Sequence, residues 1–345
     1  MRAQLLMTIA TAWVLAGLGV RGADARPQSG GEAYENMPAI APIGVRPGRY
    51  LDVPDGAKGP PIDPAKGYRV QDLGQGLHMI TDNAYQSMFL VYEDGVVVVD
   101  APPTYAPHIM QAIREITGKP MTHLIYSHAH ADHIGGAAAL GSHPIIIAHE
   151  ETKRLLARTN DPHRPLPSVT FKDRYTLKVG SKVLELSYRG VAHEPGNIFI
   201  YAPAQRTLMV VDVVLPGWMP FKRFSYAQDI PGYFAQVAEI EALPWTTLVG
   251  GHVARTGTHA DVQTQLEFMS DLKAEVQKAL ASIKPAGQLD PLDAGNPWAY
   301  AGNYIDRIAI QCVNGLQDKW SKRLGGYDAF IWDQCYAMEQ SLTMD

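Results

Sequence analysis

Ser127-His128-Ala129-His130-Ala131-Asp132-His133 is the stretch on which the reading of this chain turns. Three histidines and an aspartate fall within six positions, and Gly135-Gly136 follows. Met121 to Tyr126, just before it, is short and mostly apolar, the pattern of a buried strand. Gly136 to Leu140, just after it, is small and helix-tolerant. The stretch therefore belongs at the carboxyl end of a strand, on the turn into a helix, where α/β folds place their chemistry. Imidazoles at i and i+2 converge on one metal from an extended segment, and Asp132 and His133 reach a second position across the turn. Imidazole nitrogen and carboxylate oxygen are the donor set that suits zinc. A lone histidine is usually a surface or satisfied core residue, but this spacing has no ready structural explanation.

Length and composition set the frame for that site. At 345 residues the chain holds one large domain or two small ones, and 46% hydrophobic with 19% charged residues is the balance of a globular protein with a full core. The net charge of −5 and the lack of any Lys/Arg run offer no basic face for nucleic acid. Arg2, the apolar run Leu5 to Val20 and the small-x-small Ala23-Asp24-Ala25 predict a cleaved secretory signal over residues 1–25. The apolar run is shorter than the ~20 residues a membrane span needs. The mature protein is then periplasmic or secreted, with no stable membrane anchor. Cys312 and Cys335 are the two cysteines; an oxidising compartment lets them pair, and two buried thiols is the alternative.

Residues 26–66, rich in Pro and Gly, predict an extended arm over the surface, either plain packing or part of an active-site wall. From Tyr68, short strands are predicted at Val70 to Leu73, Leu77 to Thr81, Ser87 to Tyr92 and Val96 to Val99, the last two turning at Asp94-Gly95. A helix follows over Tyr105 to Thr117, then the strand carrying the opening stretch, a strand at Pro144 to Ala148 and a helix at Glu150 to Arg158. Two more hairpins pair Thr176 to Val179 with Val183 to Tyr188 and Asn197 to Tyr201 with Thr207 to Val211. This order predicts an α+β fold: two sheets packed face to face with helices outside. Leu266, Met269, Leu272, Val276, Leu280 and Ile283 recur at helical spacing, so Asp261 to Ile283 is a helix, with another from about Ala299 to Trp320. These open a helical extension over 261–345, read as a cap on the sandwich; a lid or dimer surface is the other reading, and a homo-oligomer stays open.

The spacing His-x-His-x-Asp-His at 128–133 resembles the signature of the metallo-β-lactamase superfamily. That resemblance covers about Tyr68 to Thr258 and implies the four-layer αβ/βα sandwich as a catalytic domain over 67–260. It also implies the remaining ligands. His193, in Gly190-Val191-Ala192-His193-Glu194-Pro195-Gly196-Asn197, resembles the third histidine of the first metal, and His252, after Leu248-Val249-Gly250-Gly251, the last ligand of the second. His259 follows a polar turn instead and competes poorly. Asp212 closes the apolar run Leu208 to Val211, where a carboxylate is costly unless it is paired or binds a cation; the family places a metal-bridging acid there. The implied set is His128, His130 and His193 on one zinc, Asp132, His133 and His252 on the other, and Asp212 between them. Asp100 matches an acidic position that accepts a ligand imidazole N–H. Lys222, Arg223 and Tyr226 lie where members often meet substrate.

Two zinc ions sharing a water imply hydrolysis, with Asp132 and Asp212 as the catalytic acids and no Gly-x-Ser-x-Gly elbow to suggest a serine nucleophile. Export weakens cytosolic thioester or RNA substrates, leaving a small molecule with a carbonyl C–N or C–O bond: a β-lactam, a lactone or an ester. Asp212 looks lactonase-like and the signal looks β-lactamase-like. Asp212-Val213-Val214-Leu215-Pro216 lacks the Tyr that lactonases often carry there, and the Cys or Lys of the commonest β-lactamase branch is missing too. A phosphoester or thioester hydrolase of the same fold and a non-catalytic secreted metal binder are the competing readings.

Overall fold

A computed structural model describes residues 50–141, 143–284 and 296–345; the predicted signal and the first part of the arm lie outside these residues. Seven strands form one sheet in sequence order: β1 Arg69–Asp72, β2 Leu77–Thr81, β3 Gln86–Val91, β4 Val96–Val99, β5 Met121–Ile125, β6 Ile145–His149 and β7 Val169–Phe171. The first four pair antiparallel, and β4 to β7 pair parallel. The second sheet runs in the order β12-β11-β10-β9-β8, from β8 Arg174–Val179, β9 Lys182–Tyr188, β10 Ile198–Ala202, β11 Thr207–Met209 and β12 Thr247–Val249. It is antiparallel except for the β11–β12 pair.

Side-chain alternation stacks the layers. Val97 and Val99 of β4 face the second sheet, where they share a cluster with Ile198 and Ile200 of β10 and Val249 of β12. Val96 and Val98 face the other way, onto α1 Ala106–Ile116 through Ile109 and Ile113. On the second sheet Phe199, Leu208 and Leu248 point outward into a third cluster with α4 Ile230–Ala242, α5 His259–Ser282, α6 Pro297–Trp320 and α7 Tyr327–Met344. Three interlayer cores therefore separate four layers, the αβ/βα sandwich expected, because period-2 strands with both faces apolar must be covered on both sides. The C-terminal helices share one continuous core with the second sheet. α5 begins two residues before the predicted start because Thr258 and Asp261 form a capping box, with Arg255 Nη2 2.6 Å from Asp261.

Cys312 on α6 and Cys335 on α7 are disulfide-bonded and wholly buried. Closing a loop of 23 residues' separation removes unfolded-state entropy worth about 3 kcal/mol. A Cys312→Ala/Cys335→Ala chain should therefore unfold in urea with stability lower by about that amount and an unchanged native circular dichroism spectrum; a midpoint equal to the parent's would refute it.

Candidate metal centre

Every loop of interest leaves the same edge of the two sheets. Asp100 follows β4, Ser127 to His133 follow β5, His193 lies between β9 and β10, Asp212 follows β11, and His252 follows β12. The opening stretch runs from β5 into the short helix α2 Ala131–Ile134, and α3 Glu150–Thr159 follows β6. Two glycines let the loops close up. A Cβ on Gly136 would lie 2.3 Å from Ala106 Cβ, and one on Gly251, at φ +83°, would lie 2.5 Å from Val211. Only a residue without a side chain brings His252 so near the end of β11.

The structure brings all seven sequence-predicted ligands together. His128, His130, His193 and Asp212 present one donor atom each within 4.8 Å of one another, and Asp132, His133 and His252 form a second such group. Asp212 reaches both: Oδ2 lies 3.2 Å from His193 Nε2 and 3.2 Å from His133 Nε2, while Oδ1 lies 3.0 Å from His252 Nε2. Asp212 and Asp100 adopt φ of 66° and 61°, and Val253, beside His252, adopts 64°. That region is sparsely used by Asp and rarely by a β-branched residue, so the surrounding packing holds the loops in place against it.

The donor set fits metal ions. His193 Nε2 faces His130 Nδ1 at 3.0 Å and His133 Nε2 faces His252 Nε2 at 3.0 Å. Each ring pair is almost perpendicular, at 88°, and His128 Nε2 is buried without a hydrogen bond. Imidazole lone pairs aimed at one another and at a carboxylate leave acceptors in excess of protons, and a divalent cation satisfies them together. On three of the rings the opposite atom is tied down. Ser127 Oγ lies 2.9 Å from His128 Nδ1, Glu194 Oε1 3.3 Å from His130 Nε2, and the Ala84 carbonyl 3.1 Å from His252 Nδ1. Such outer contacts fix which nitrogen turns inward. Burial and the neighbouring imidazoles push His128 well below its usual pKa and His130 down to about 4, so both stay neutral, the form that ligates. Burial opposes charge on His133, but Asp212, Asp132 and Asp100 outweigh it and raise the ring to about 9. Burial likewise opposes the Asp212 carboxylate, yet the imidazoles around it hold it well below the usual range.

Other residues stand apart from the expectations. Asp100 is wholly buried and accepts the backbone N–H of Ser127 at 2.8 Å rather than an imidazole N–H; its Oδ2 and His133 Nδ1 both lack partners. Burial lifts its carboxyl to about 6. Lys222 and Arg223 do not line the pocket. Lys222 Nζ lies 3.8 Å from Asp333 and Arg223 Nη2 donates to Gln340 Oε1 at 2.6 Å, both on α7. Tyr226 does line it. His259 stacks on Trp245 at 3.9 Å and serves packing. Sequence reasoning misses Glu194, although it directly follows His193. It also misses Gln86, which is fully buried and donates to the Val253 and Arg255 carbonyls, pinning the His252 loop to β3. Neither carries a motif; adjacency to a ligand was the one signal for Glu194.

The two donor groups open into a pocket of about 660 Å³, within the range of small-molecule sites. Its far wall is Leu215, Trp218, Met219, Phe221, Tyr226 and Phe330, and Tyr85 stands against His252 with ring centroids 4.6 Å apart. The described part of the arm braces this wall from behind: Trp218 Nε1 donates to the Ala57 carbonyl at 2.8 Å and Arg255 Nε to that of Gly56 at 2.7 Å. Phe330 comes from α7, so the C-terminal helices cap the sheet and also supply pocket surface.

Comparison with known proteins agrees with this layout. The family model of the metallo-β-lactamase superfamily matches residues 81–277. The chain is 29% identical over 223 residues to the 2,4-dinitroanisole O-demethylase subunit alpha of Nocardioides sp. (strain JS1661), an alignment covering 63% of this chain and 63% of that protein. It is 30% identical over 168 residues to a metallo-β-lactamase type 2 of Bacillus cereus, covering 47% of this chain and 59% of that one. The chain thus spans about three fifths of the length of these relatives. The solved metallo-β-lactamase of Pontibacter korlensis shares the fold, with a TM-score of 0.51 at 18% identity over 58% of this chain and 97% of that one.

Proposed function

This chain belongs to the metallo-β-lactamase superfamily, and from that premise we propose that it is an exported hydrolase that holds two zinc ions and cleaves a carbonyl C–N or C–O bond in a small molecule. The observation that carries the reading is the buried Asp212 carboxylate shared by two donor groups at the floor of an open pocket. Two divalent cations, when bound, supply a nucleophile from water at neutral pH and polarise the bond to be broken. The chain's own residues do the rest. His128, His130 and His193 hold one cation, and Asp132, His133 and His252 the other. Asp132 is the pocket-facing acid of the set, its side chain 45% exposed, and it orients the attacking water and takes up its proton. The leaving amine or alcohol departs into the pocket with a proton, and the acyl carbon gains the hydroxyl. The N-terminal apolar run and the Cys312–Cys335 disulfide support export.

The Nocardioides relative's name favours a second reading, hydrolysis of an aryl ether C–O bond, and the aromatic far wall suits such a substrate. One experiment separates the readings. The purified mature protein, with metal counted by mass spectrometry, is offered chromogenic esters, lactones, a cephalosporin and an aryl methyl ether. Two zinc ions per chain are expected, with turnover of at least one class that chelation abolishes and Zn²⁺ restores. Bound zinc with none of these bonds cleaved would overturn the hydrolytic reading in favour of a metal-binding protein.

A further inference from the structure

We propose that the pocket beside the metal centre selects electrically neutral, aromatic-bearing substrates and rejects anionic ones, an inference that rests on the hydrolytic reading above. Two observations carry it. The far wall presents a cluster of rings: Phe221 lies 5.5 Å from Tyr226, edge-on, and 4.7 Å from Phe330, with Trp218 beside them on the lining. Phe221 and Tyr226 are 43% and 56% exposed, so part of this apolar surface is left open at the mouth.

The charge pattern is the second observation. Among the described residues no Lys or Arg lines the pocket. The cations nearest to it in sequence face other groups: Lys222 Nζ lies 3.8 Å from Asp333, Arg223 donates to Gln340, and Arg255 donates to Asp261 and the Gly56 carbonyl. An anion on the part of a substrate distant from the scissile bond would lose its water against ring faces with no counter-charge.

Ser225 belongs to the same wall: it is a lining residue, 4% exposed, and its hydroxyl lies beside that of Tyr233, which donates to the Val213 carbonyl. Ser225 sits in a run, Arg223 to Tyr226, in which four consecutive non-glycine residues have φ between 52° and 59°. Left-handed backbone of this length is rare and is kept only where the surroundings over-determine it; here it turns Ser225 and Tyr226 toward the pocket together.

The test uses the zinc-loaded full chain and two esters with matched leaving groups, 4-sulfamoylphenyl acetate (neutral) and 4-sulfophenyl acetate (anionic). A kcat/KM ratio of at least about 30 in favour of the neutral ester is expected, and Tyr226→Lys, at an exposed position, should narrow it at least tenfold. Binding is read independently by quenching of Trp218 fluorescence with 2-acetylnaphthalene and with naphthalene-2-sulfonate, using Trp218→Phe to identify the signal; the neutral ligand should bind at least tenfold more tightly. Turnover with equal or better use of the anionic ester overturns the proposal and leaves the hydrolytic reading standing. If neither ester is cleaved, that reading loses support and the fluorescence titration decides this one: equal or tighter binding of the sulfonate overturns it.

Discussion

Asp212→Asn should lower kcat/KM on whatever substrate the chain turns over by about a thousandfold, roughly 4 kcal/mol of lost transition-state stabilisation. The side chain is 6% exposed and contacts four imidazoles: His128 at 3.5 Å, His133 and His193 at 3.2 Å, and His252 at 3.0 Å. Asparagine keeps the shape and tolerates the left-handed backbone that Asp212 occupies, with φ of 66°. Its backbone N–H to the Gly250 carbonyl, at 3.1 Å, is untouched. What disappears is the one anion that both donor groups share. Zinc content should drop from two per chain toward one or fewer. Retention of both ions at full activity in Asp212→Asn would show that the carboxylate is not the bridge, and the two-ion reading would fall with it.

How legible the site was in the sequence depends on how local its determinants are. The opening cluster is contiguous, so its chemistry shows without the fold. His193, Asp212 and His252 each stand beside glycines or after an apolar run, but the resemblance to the family is what singled them out, and the fold is what brings them to the opening cluster. The strands themselves declare their burial, since Val96 to Val99 have no polar residue to spare for solvent. What sequence could not show arises from long-range contacts. Lys222 and Arg223 follow Asp212 closely in sequence, but α7, more than a hundred residues on, draws both away. Helix α7 itself escaped notice because polar and apolar residues are mixed around its whole circumference: it is gripped from several sides, burying Asp328, Gln334 and Glu339 beside Ile331 and Cys335. The left-handed run at 223–226 has no glycine to announce it, so nothing in its residue types marks it.

That run yields the second large effect. Gln334→Leu should destabilise the chain by about 4 kcal/mol and raise KM by at least tenfold, with kcat changed far less. Gln334 is fully buried and its amide is fully used: Oε1 accepts the Phe224 N–H at 2.7 Å, and Nε2 donates to the Pro220 and Phe221 carbonyls at 2.6 and 3.0 Å. One side chain from α7 thus satisfies three backbone groups in a segment that has no strand or right-handed helix to satisfy them. Leucine fits the space but leaves the Phe224 N–H and the Pro220 carbonyl without these partners, at roughly 1–3 kcal/mol each before relaxation, while the Phe221 carbonyl keeps the Ser225 N–H at 2.7 Å. The run then has less reason to stay left-handed, since that conformation stands about 1–2 kcal/mol per residue above the right-handed one. Phe224, wholly buried in the core behind the pocket, would pull against any rearrangement, so the change should be felt by Ser225 and Tyr226 at the wall. Asp212 shares a connection with the run but is tied separately to the Gly250 carbonyl, and the other ligand loops leave other strands, so zinc content should remain that of the parent. A merely structural glutamine would lower stability and leave KM alone. A shift in KM at constant zinc content is the outcome that assigns α7 a part in shaping the pocket, and an unshifted KM removes it.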